Sequence, residues 1–365
     1  MLQQIQVGLD SRAYPIIIQE GLISGIGANL GKKGIAGRFL LISDDRVAAH
    51  YGGKVLTSLR EAGLTADILT FPKGEASKNL DTIKDLTSRL ARIGADRKTC
   101  LIALGGGVTG DIAGFAASIY MRGIPYIQVP TSLLAQVDSS VGGKTGVDIP
   151  EGKNLVGTFN QPRIVYIDPD ILYTLPRREI LNGLAEIIKY SVIYDSTFFA
   201  YLEKNRDQIL GLDTGVVAEI IGRCCRIKAE VVAVDEKESG LRRILNYGHT
   251  LGHAMEAASD YLLSHGMAVA LGMISVNRIA VLKSLLSEEE AKRIRGLVAD
   301  FGLPVKLPPD FNLSGQDVKS RLKTDKKAVA GRSVFILPES IGKVFISDKV
   351  EESMIDRALG EIGVK

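Results

Sequence analysis

The chain is short of the residues that cross-link or chelate by weight of numbers: among 365 residues there are three cysteines and four histidines. Cys100, Cys224 and Cys225 contain no C-x-x-C, and sequence neighbours such as Cys224 and Cys225 rarely pair. That argues against a disulfide scaffold or a cysteine-built structural zinc site, and for a reducing, cytoplasmic location. An excess of one charge is missing too. The 45 Lys and Arg residues face 42 Asp and Glu, a net charge of +3 with no basic block of five or six. Neither nucleic acid nor an acidic membrane surface is expected as a partner, and basic residues should act locally, around a small anion. Long apolar runs are absent as well, each being broken by glycine or charge well short of a membrane span. The opening residues carry no basic stretch followed by an apolar one, so no signal peptide is expected.

What is present is the balance of a globular protein with ample core: 45% hydrophobic and 24% charged residues. The length suits two ordinary domains, and the texture changes near residue 175. Before it, IQVGL and YPIIIQ read as a hairpin or edge pair. Candidate strands follow at Phe39–Asp45, Ala66–Pro72, Cys100–Gly107, Tyr126–Pro130 and Ile164–Asp168, several of them separated by helical patterns. Strands without polar alternation, interleaved with helices, indicate a mostly parallel sheet covered on both faces. After Ile180 the spacing is helical over Phe198–Leu210, Thr214–Val234, Leu251–Tyr261, Ala268–Leu285 and Glu288–Phe301, and SVFILP with KVFIS closes the chain region as a small hairpin. The expected fold is an α/β Rossmann-like domain over 1–175, followed by a mainly α-helical metal-binding domain over 176–365.

Two segments look built for anions. LIALGGGVTGDIAGF runs from strand through loop to helix, and Gly105, Gly107 and Gly110 satisfy G-x-G-x-x-G there. Such a loop brings backbone N–H groups to a pyrophosphate at a helix N-terminus. No acidic residue follows about 20 positions on, where a ribose partner usually sits; Asp44, ending an earlier strand, could serve. PKGEASK adds a second glycine turn at a strand end. Val129–Gly157 reads as a long surface loop with single charges at Asp138, Lys144, Asp148, Glu151 and Lys153, suited to phosphate or carboxylate.

Three of the four histidines fall in NYGHTLGHAMEAASDYLLSHG. His249 and His253 are four apart, about 6 Å along a helix and on one face, so spacing alone nominates that pair as metal ligands. GLAEIIKY places Glu186 and Lys189 one turn apart among apolar neighbours, where a carboxylate needs a cationic partner. Two histidines and a glutamate would leave a catalytic zinc position open. Composition does not say which two histidines bind.

These motifs, with VPTSLLAQVDSSVGGKTGVD, GKNLVGTFNQP, DEKESGLRRILNYGHTLGHAMEA and SHGMAVALGM in that order, closely resemble the 3-dehydroquinate synthase family. The resemblance runs from about Asp44 to the C-terminal hairpin. It implies a shikimate-pathway lyase that uses NAD and zinc or cobalt to convert 3-deoxy-D-arabino-heptulosonate 7-phosphate into 3-dehydroquinate and phosphate, typically as a homodimer. The hydride would leave for NAD and return, with phosphate elimination, ring opening and an aldol closure in the same site. Carried over residue by residue, Glu186, His249 and His265 would hold the metal, which displaces the spacing-based pair, and His253 would move protons. NAD would meet Asp44, Gly74, Glu75, Lys78, Gly106, Gly107, Val108, Asp111, Thr131, Ser132, Lys153, Leu172 and Thr174. The substrate would meet Arg122, Asp138, Lys144, Asn154, Lys189, Lys228, Arg242 and Asn246, with Lys326 or Lys327 at its phosphate. Of these, Lys144, Asn246, Lys189 and Asp138 would join His253 in catalysis. Ser132 departs from the family's usual threonine but keeps a hydroxyl. The rival readings are a metal-dependent polyol dehydrogenase, which needs no phosphate pocket, and a noncatalytic NAD sensor, which would have lost ligands that are all present here.

Overall fold

The structure, a computed structural model, describes residues 2–33, 37–323 and 333–365. Two compact units divide the chain: Met1–Leu175 with Val217–Lys237, and Pro176–Val216 with Glu238–Lys365. The division differs from two contiguous segments, 1–175 and 176–365, in one respect. Residues Val217–Lys237, most of the helix Thr214–Val234, group with the sheet. Their side chains bond there: Lys228 Nζ donates to the Asp138 carbonyl at 2.8 Å, Cys225 Sγ to that of Gln136 at 3.4 Å, and Glu236 accepts from Arg12.

Strands of the first unit are β1 (Gln3–Val7), β2 (Tyr14–Ile18), β3 (Phe39–Asp44), β4 (Ala66–Phe71), β5 (Cys100–Gly105), β6 (Tyr126–Pro130), β7 (Lys144–Ile149), β8 (Gly152–Phe159) and β9 (Val165–Ile167). Seven of them form one sheet in the order β1-β2-β9-β6-β5-β3-β4. Only the β1–β2 pair is antiparallel. The unbroken apolar runs have a physical reason, since successive side chains enter different cores. Phe39, Leu41, Cys100 and Ile102 pack with the helices Leu22–Lys32 and Gly53–Glu61 on one face. Leu40, Ile42, Leu101 and Ala103 pack with Leu80–Arg92 and Gly107–Ile119 on the other.

The segment expected as a loop over Val129–Gly157 is more ordered than that. It contains a turn at Ala135–Ser139 and then the antiparallel hairpin β7–β8. Glycines at paired positions Gly146 and Gly157, and the single charges Lys144, Asp148 and Lys153, hide the alternation by which strands are recognised.

The second unit is helical, with Arg177–Tyr194, Ser196–Lys204, Arg206–Leu210, His249–Ala258, His265–Leu282, Glu288–Asp300, Gly315–Lys323 and Glu352–Glu361. It also holds the expected hairpin, β10 (Phe335–Ser340) with β11 (Lys343–Ser347). Asn205 divides the expected helix Phe198–Leu210 into two. Among the described residues, His265–Leu282 alone is long and apolar enough to cross a membrane, and 72% of that window is buried inside the protein.

Candidate active site

Three helices of the second unit supply the metal-type ligands. Glu186 lies mid-way along Arg177–Tyr194, while His249 and His265 open their own helices. The histidine helices can meet because Gly248 has φ +78°, and because a Cβ on Gly272 would stand 1.9 Å from the Gly248 carbonyl oxygen. Backbone therefore touches backbone where the two helices pass. At the start of the second one, the Gly266 N–H donates to Asn182 Oδ1 at 2.9 Å, which fixes it against the glutamate helix.

The result is convergent. His249 Nε2 lies 3.2 Å and His265 Nε2 3.0 Å from the same oxygen, Glu186 Oε1, and Glu186 is 1% exposed. The ligand atoms of Glu186, His249 and His265 lie within 4.8 Å of one another. His249 Nδ1 stands 3.0 Å from the Tyr247 carbonyl; a proton donated there leaves the Nε2 lone pair facing the carboxylate. His265 Nδ1 faces Glu256 Oε2 at 3.7 Å. Lys189 forms an ion pair with Glu186 Oε2.

Burial would raise the Glu186 pKa, but Lys189 and the two imidazoles outweigh it and hold the carboxyl well below its usual range. Burial lowers the His249 pKa despite Glu186, keeping the ring in the neutral form that can ligate. Burial also disfavours charge on His265, yet its bonds with Glu186 and Glu256 raise it to about 9. The centre thus attracts positive charge. An anionic oxygen and two imidazole nitrogens, with outer partners on both rings, fit a zinc or cobalt ion with a coordination position left for substrate.

The pair nominated by four-residue spacing is not the pair that shares Glu186. The rings of His249 and His253 meet edge to face with centroids 5.1 Å apart, and His253 instead groups with Glu256 and His265. Helical spacing puts two side chains on one face but cannot show which third element faces them. Nearby in the same unit, Arg242 is buried and Asn246 Nδ2 donates to Glu238 Oε1 at 2.5 Å.

In the first unit the residues expected at a nucleotide gather at the carboxyl ends of β3, β4, β5 and β6. The strand order reverses between β3 and β5, the position where open parallel sheets receive ligands. Asp44 Oδ1 accepts from Val47 N at 2.9 Å, and its Oδ2 lies 3.5 Å from Thr109 Oγ1, close to the glycine loop. Gly106 caps the helix that begins Gly107–Val108 and offers no side chain to its first N–H groups, the kind of helix start that receives an anion. The turn with Gly74 (φ +104°) and Glu75 leads to Lys78, whose Nζ meets Asp111 Oδ2 and Asn154 Oδ1, each at 2.6 Å. Burial disfavours the Lys78 charge, but Asp111 and Glu75 more than compensate and raise its pKa.

Thr131 N donates to the Gly105 carbonyl at 2.9 Å, and Ser132 Oγ accepts from Ala135 N at 3.3 Å. Leu172 is buried, and Thr174 Oγ1 lies 2.5 Å from Tyr51 OH. Lys153 is half-buried on β8. Asp138 pairs with buried Lys228, whereas Lys144 and Arg122 are exposed. Lys326 and Lys327 lie outside the described residues.

Residues 68–182 match the 3-dehydroquinate synthase N-terminal family model, and residues 183–328 match its C-terminal counterpart. The chain belongs to the 3-dehydroquinate synthase family. A 3-dehydroquinate synthase of Desulforamulus reducens is 48% identical over 358 residues, covering 98% of this chain and 99% of the relative. Among solved structures, 2-epi-5-epi-valiolone synthase from Streptomyces hygroscopicus subsp. jinggangensis, with NAD+ and Zn2+ bound, superimposes with a TM-score of 0.87. It has 29% identity and 96% coverage of both chains. A 2-deoxy-scyllo-inosose synthase complexed with carbaglucose-6-phosphate, NAD+ and Co2+ gives a TM-score of 0.86 at 28% identity, covering 98% of this chain and 99% of that one.

Within this member of the family, three contributors escaped the sequence reading. Glu256 and the Tyr247 carbonyl orient the two imidazoles, and Asn182 seats the helix of His265. Glu256 stands three residues beyond His253, a same-face spacing that could have singled it out. A backbone carbonyl and a glycine-seating amide leave no such mark.

Proposed function

We propose that this chain is a 3-dehydroquinate synthase that converts 3-deoxy-D-arabino-heptulosonate 7-phosphate into 3-dehydroquinate and inorganic phosphate, with NAD and Zn2+ or Co2+ as cofactors. The observation that carries the reading is identity of 48% along essentially the whole chain to an enzyme of that name, against 28–29% to cyclases of other sugar phosphates. The convergence of His249 and His265 on Glu186 supports the metal. When bound, NAD would supply the acceptor and donor of one hydride, and the divalent ion a Lewis acid at the substrate's hydroxyls.

The rest falls to side chains of this chain. Glu186, His249 and His265 hold the metal, and the Tyr247 carbonyl and Glu256 keep both imidazoles turned toward it. His253 stands beside both ligand rings, and we assign it a part in the proton transfers near the substrate. Lys144, Lys189, Lys228, Arg122, Arg242, Asn154, Asn246 and Asp138 bind and orient the carboxylate, hydroxyls and phosphate, with Lys326 or Lys327 at the phosphate. Holding the opened chain in a reactive shape is what the aldol closure needs from them. Asp44 with Gly74, Glu75 and Lys78, Gly106 to Val108 with Asp111, and Thr131, Ser132, Lys153, Leu172 and Thr174 bind the dinucleotide. The assembly we assign is a homodimer without nucleic acid or membrane partner, in the cytoplasm, where Cys100, Cys224 and Cys225 remain buried thiols.

Incubation with 3-deoxy-D-arabino-heptulosonate 7-phosphate and, separately, with glucose 6-phosphate tests the substrate assignment. NMR should find 3-dehydroquinate from the first and no cyclic product from the second. The reverse pattern would move the chain to the inosose synthase branch.

A further inference from the structure

Asp148 has no part in the roles assigned above, yet it closes a ring of hydrogen bonds around two residues that do. In the hairpin, Val147 pairs with Val156 and Ile149 with Gly152, so two steps along β7 correspond to four along β8. The excess forms a bulge that contains Lys153 and Asn154, opposite Asp148. Bulges re-aim side chains and recur beside active sites. Freed from the ladder, Asp148 N donates to the Lys78 carbonyl at 2.8 Å. Its Oδ1 accepts from Asn154 N at 2.7 Å. Asn154 has φ +54°, a left-handed conformation that a non-glycine residue keeps only when something holds it. In that conformation its Oδ1 accepts from Lys78 Nζ at 2.6 Å, which returns the chain of contacts to Lys78.

We propose that Asp148 is a positioning residue: it holds Asn154 left-handed and thereby fixes the Lys78 ammonium and the Asn154 amide for dinucleotide and substrate. The inference rests on the assignment of Lys78 to NAD and Asn154 to substrate made above. Lys78 is 5% exposed and its Nζ also meets Asp111, so its position is set by two partners, one of which Asp148 controls. Loss of the carboxylate releases the bulge, and the Asn154 oxygen no longer faces Nζ. Both ligands then lose affinity together, while chemistry at saturation is spared.

The test compares the parent protein with Asp148→Ala and Asp148→Asn. Calorimetry measures NAD binding, steady-state kinetics gives KM and kcat, and thermal melting reports the fold. Asp148→Ala should weaken NAD binding and raise the substrate KM, each by about tenfold, as for loss of a charge-assisted hydrogen bond. Its kcat should stay within about threefold and its Tm near that of the parent. Asp148→Asn keeps an amide oxygen for Asn154 N–H and should recover most of both affinities. Parent-like Kd and KM in Asp148→Ala would overturn the proposal. So would affinity lost only in step with a fallen Tm and not recovered in Asp148→Asn, the mark of a merely structural staple. Failure of the parent itself to bind NAD is a separate result: it removes the cofactor assignment beneath the proposal before any variant is compared.

Discussion

His265 meets Glu186 through Nε2 and Glu256 through Nδ1, while His249 meets the same Glu186 oxygen and turns its other nitrogen to a carbonyl. Each of these ring nitrogens therefore has its own partner, while His253 stands edge to face with His249 and groups with Glu256 and His265. This partition predicts how substitutions separate. Glu186→Ala, His249→Ala and His265→Ala should each lose most of the bound metal, whereas His253→Ala should retain it and lose kcat by about 10²–10⁴-fold, the usual contribution of general acid–base catalysis. Elemental analysis of the purified variants beside kcat checks this. Metal lost from His253→Ala but kept in His265→Ala would reverse the assignment. The residues themselves announced a site, because three of four histidines and a glutamate on an apolar helix need a shared reason. The ligand set was not legible from spacing, because His265 and Glu186 reach the centre from helices whose approach is tertiary. The family resemblance supplied that set.

Elements were more readable than side-chain partners. The strands of the parallel sheet stood out because both their faces are buried, and the helix Thr214–Val234 because its apolar spacing is sustained. The hairpin β7–β8 reads as a loop in the sequence, since small residues and single charges mask a strand whose outer face is solvated. The close passage of the histidine helices was also unreadable, for a glycine in a helix pattern looks like a weakness until its neighbour is known. Gly272→Ala tests that passage. Its Cβ would stand 1.9 Å from the Gly248 carbonyl, so the helices must separate, at a cost of about 1–3 kcal/mol. A lower Tm and a lower metal content are expected together; a parent-like melting curve with full metal would contradict the account.

The core elements make a second prediction through their thiols. Burial pushes Cys100 in β5 and Cys225 in the helix Thr214–Val234 up to about 12, and Cys224 is fully buried. At pH 8 a thiol reagent should label none of the three in the native protein and all three in denaturant. The linkage has a sign. Unfolded thiols ionise near 9, below their folded values. These groups therefore cost no stability under neutral conditions, and they weaken the fold as pH rises above that point. Fast native labelling of Cys100 or Cys225 would show that the sheet unit opens far more readily than its packing implies.

For the molecule as a whole, the division of the chain follows contacts rather than sequence order: Val217–Lys237 leaves the helical region to pack with the sheet, and with it goes Lys228, the partner of Asp138. A change of texture near residue 175 was visible in the sequence, but the return of one helix was not, since its apolar faces look alike whatever they pack on. The order of the motifs nonetheless carried a family resemblance, and that resemblance implied a chemistry in which a hydride is borrowed and given back. The most direct test follows phosphate release from 3-deoxy-D-arabino-heptulosonate 7-phosphate and NADH absorbance in the same cuvette, with and without chelation of divalent metal. The account predicts one phosphate per substrate, dependence on metal and on catalytic NAD, and no net NADH. Steady accumulation of NADH without phosphate would contradict it and return the chain to a dehydrogenase.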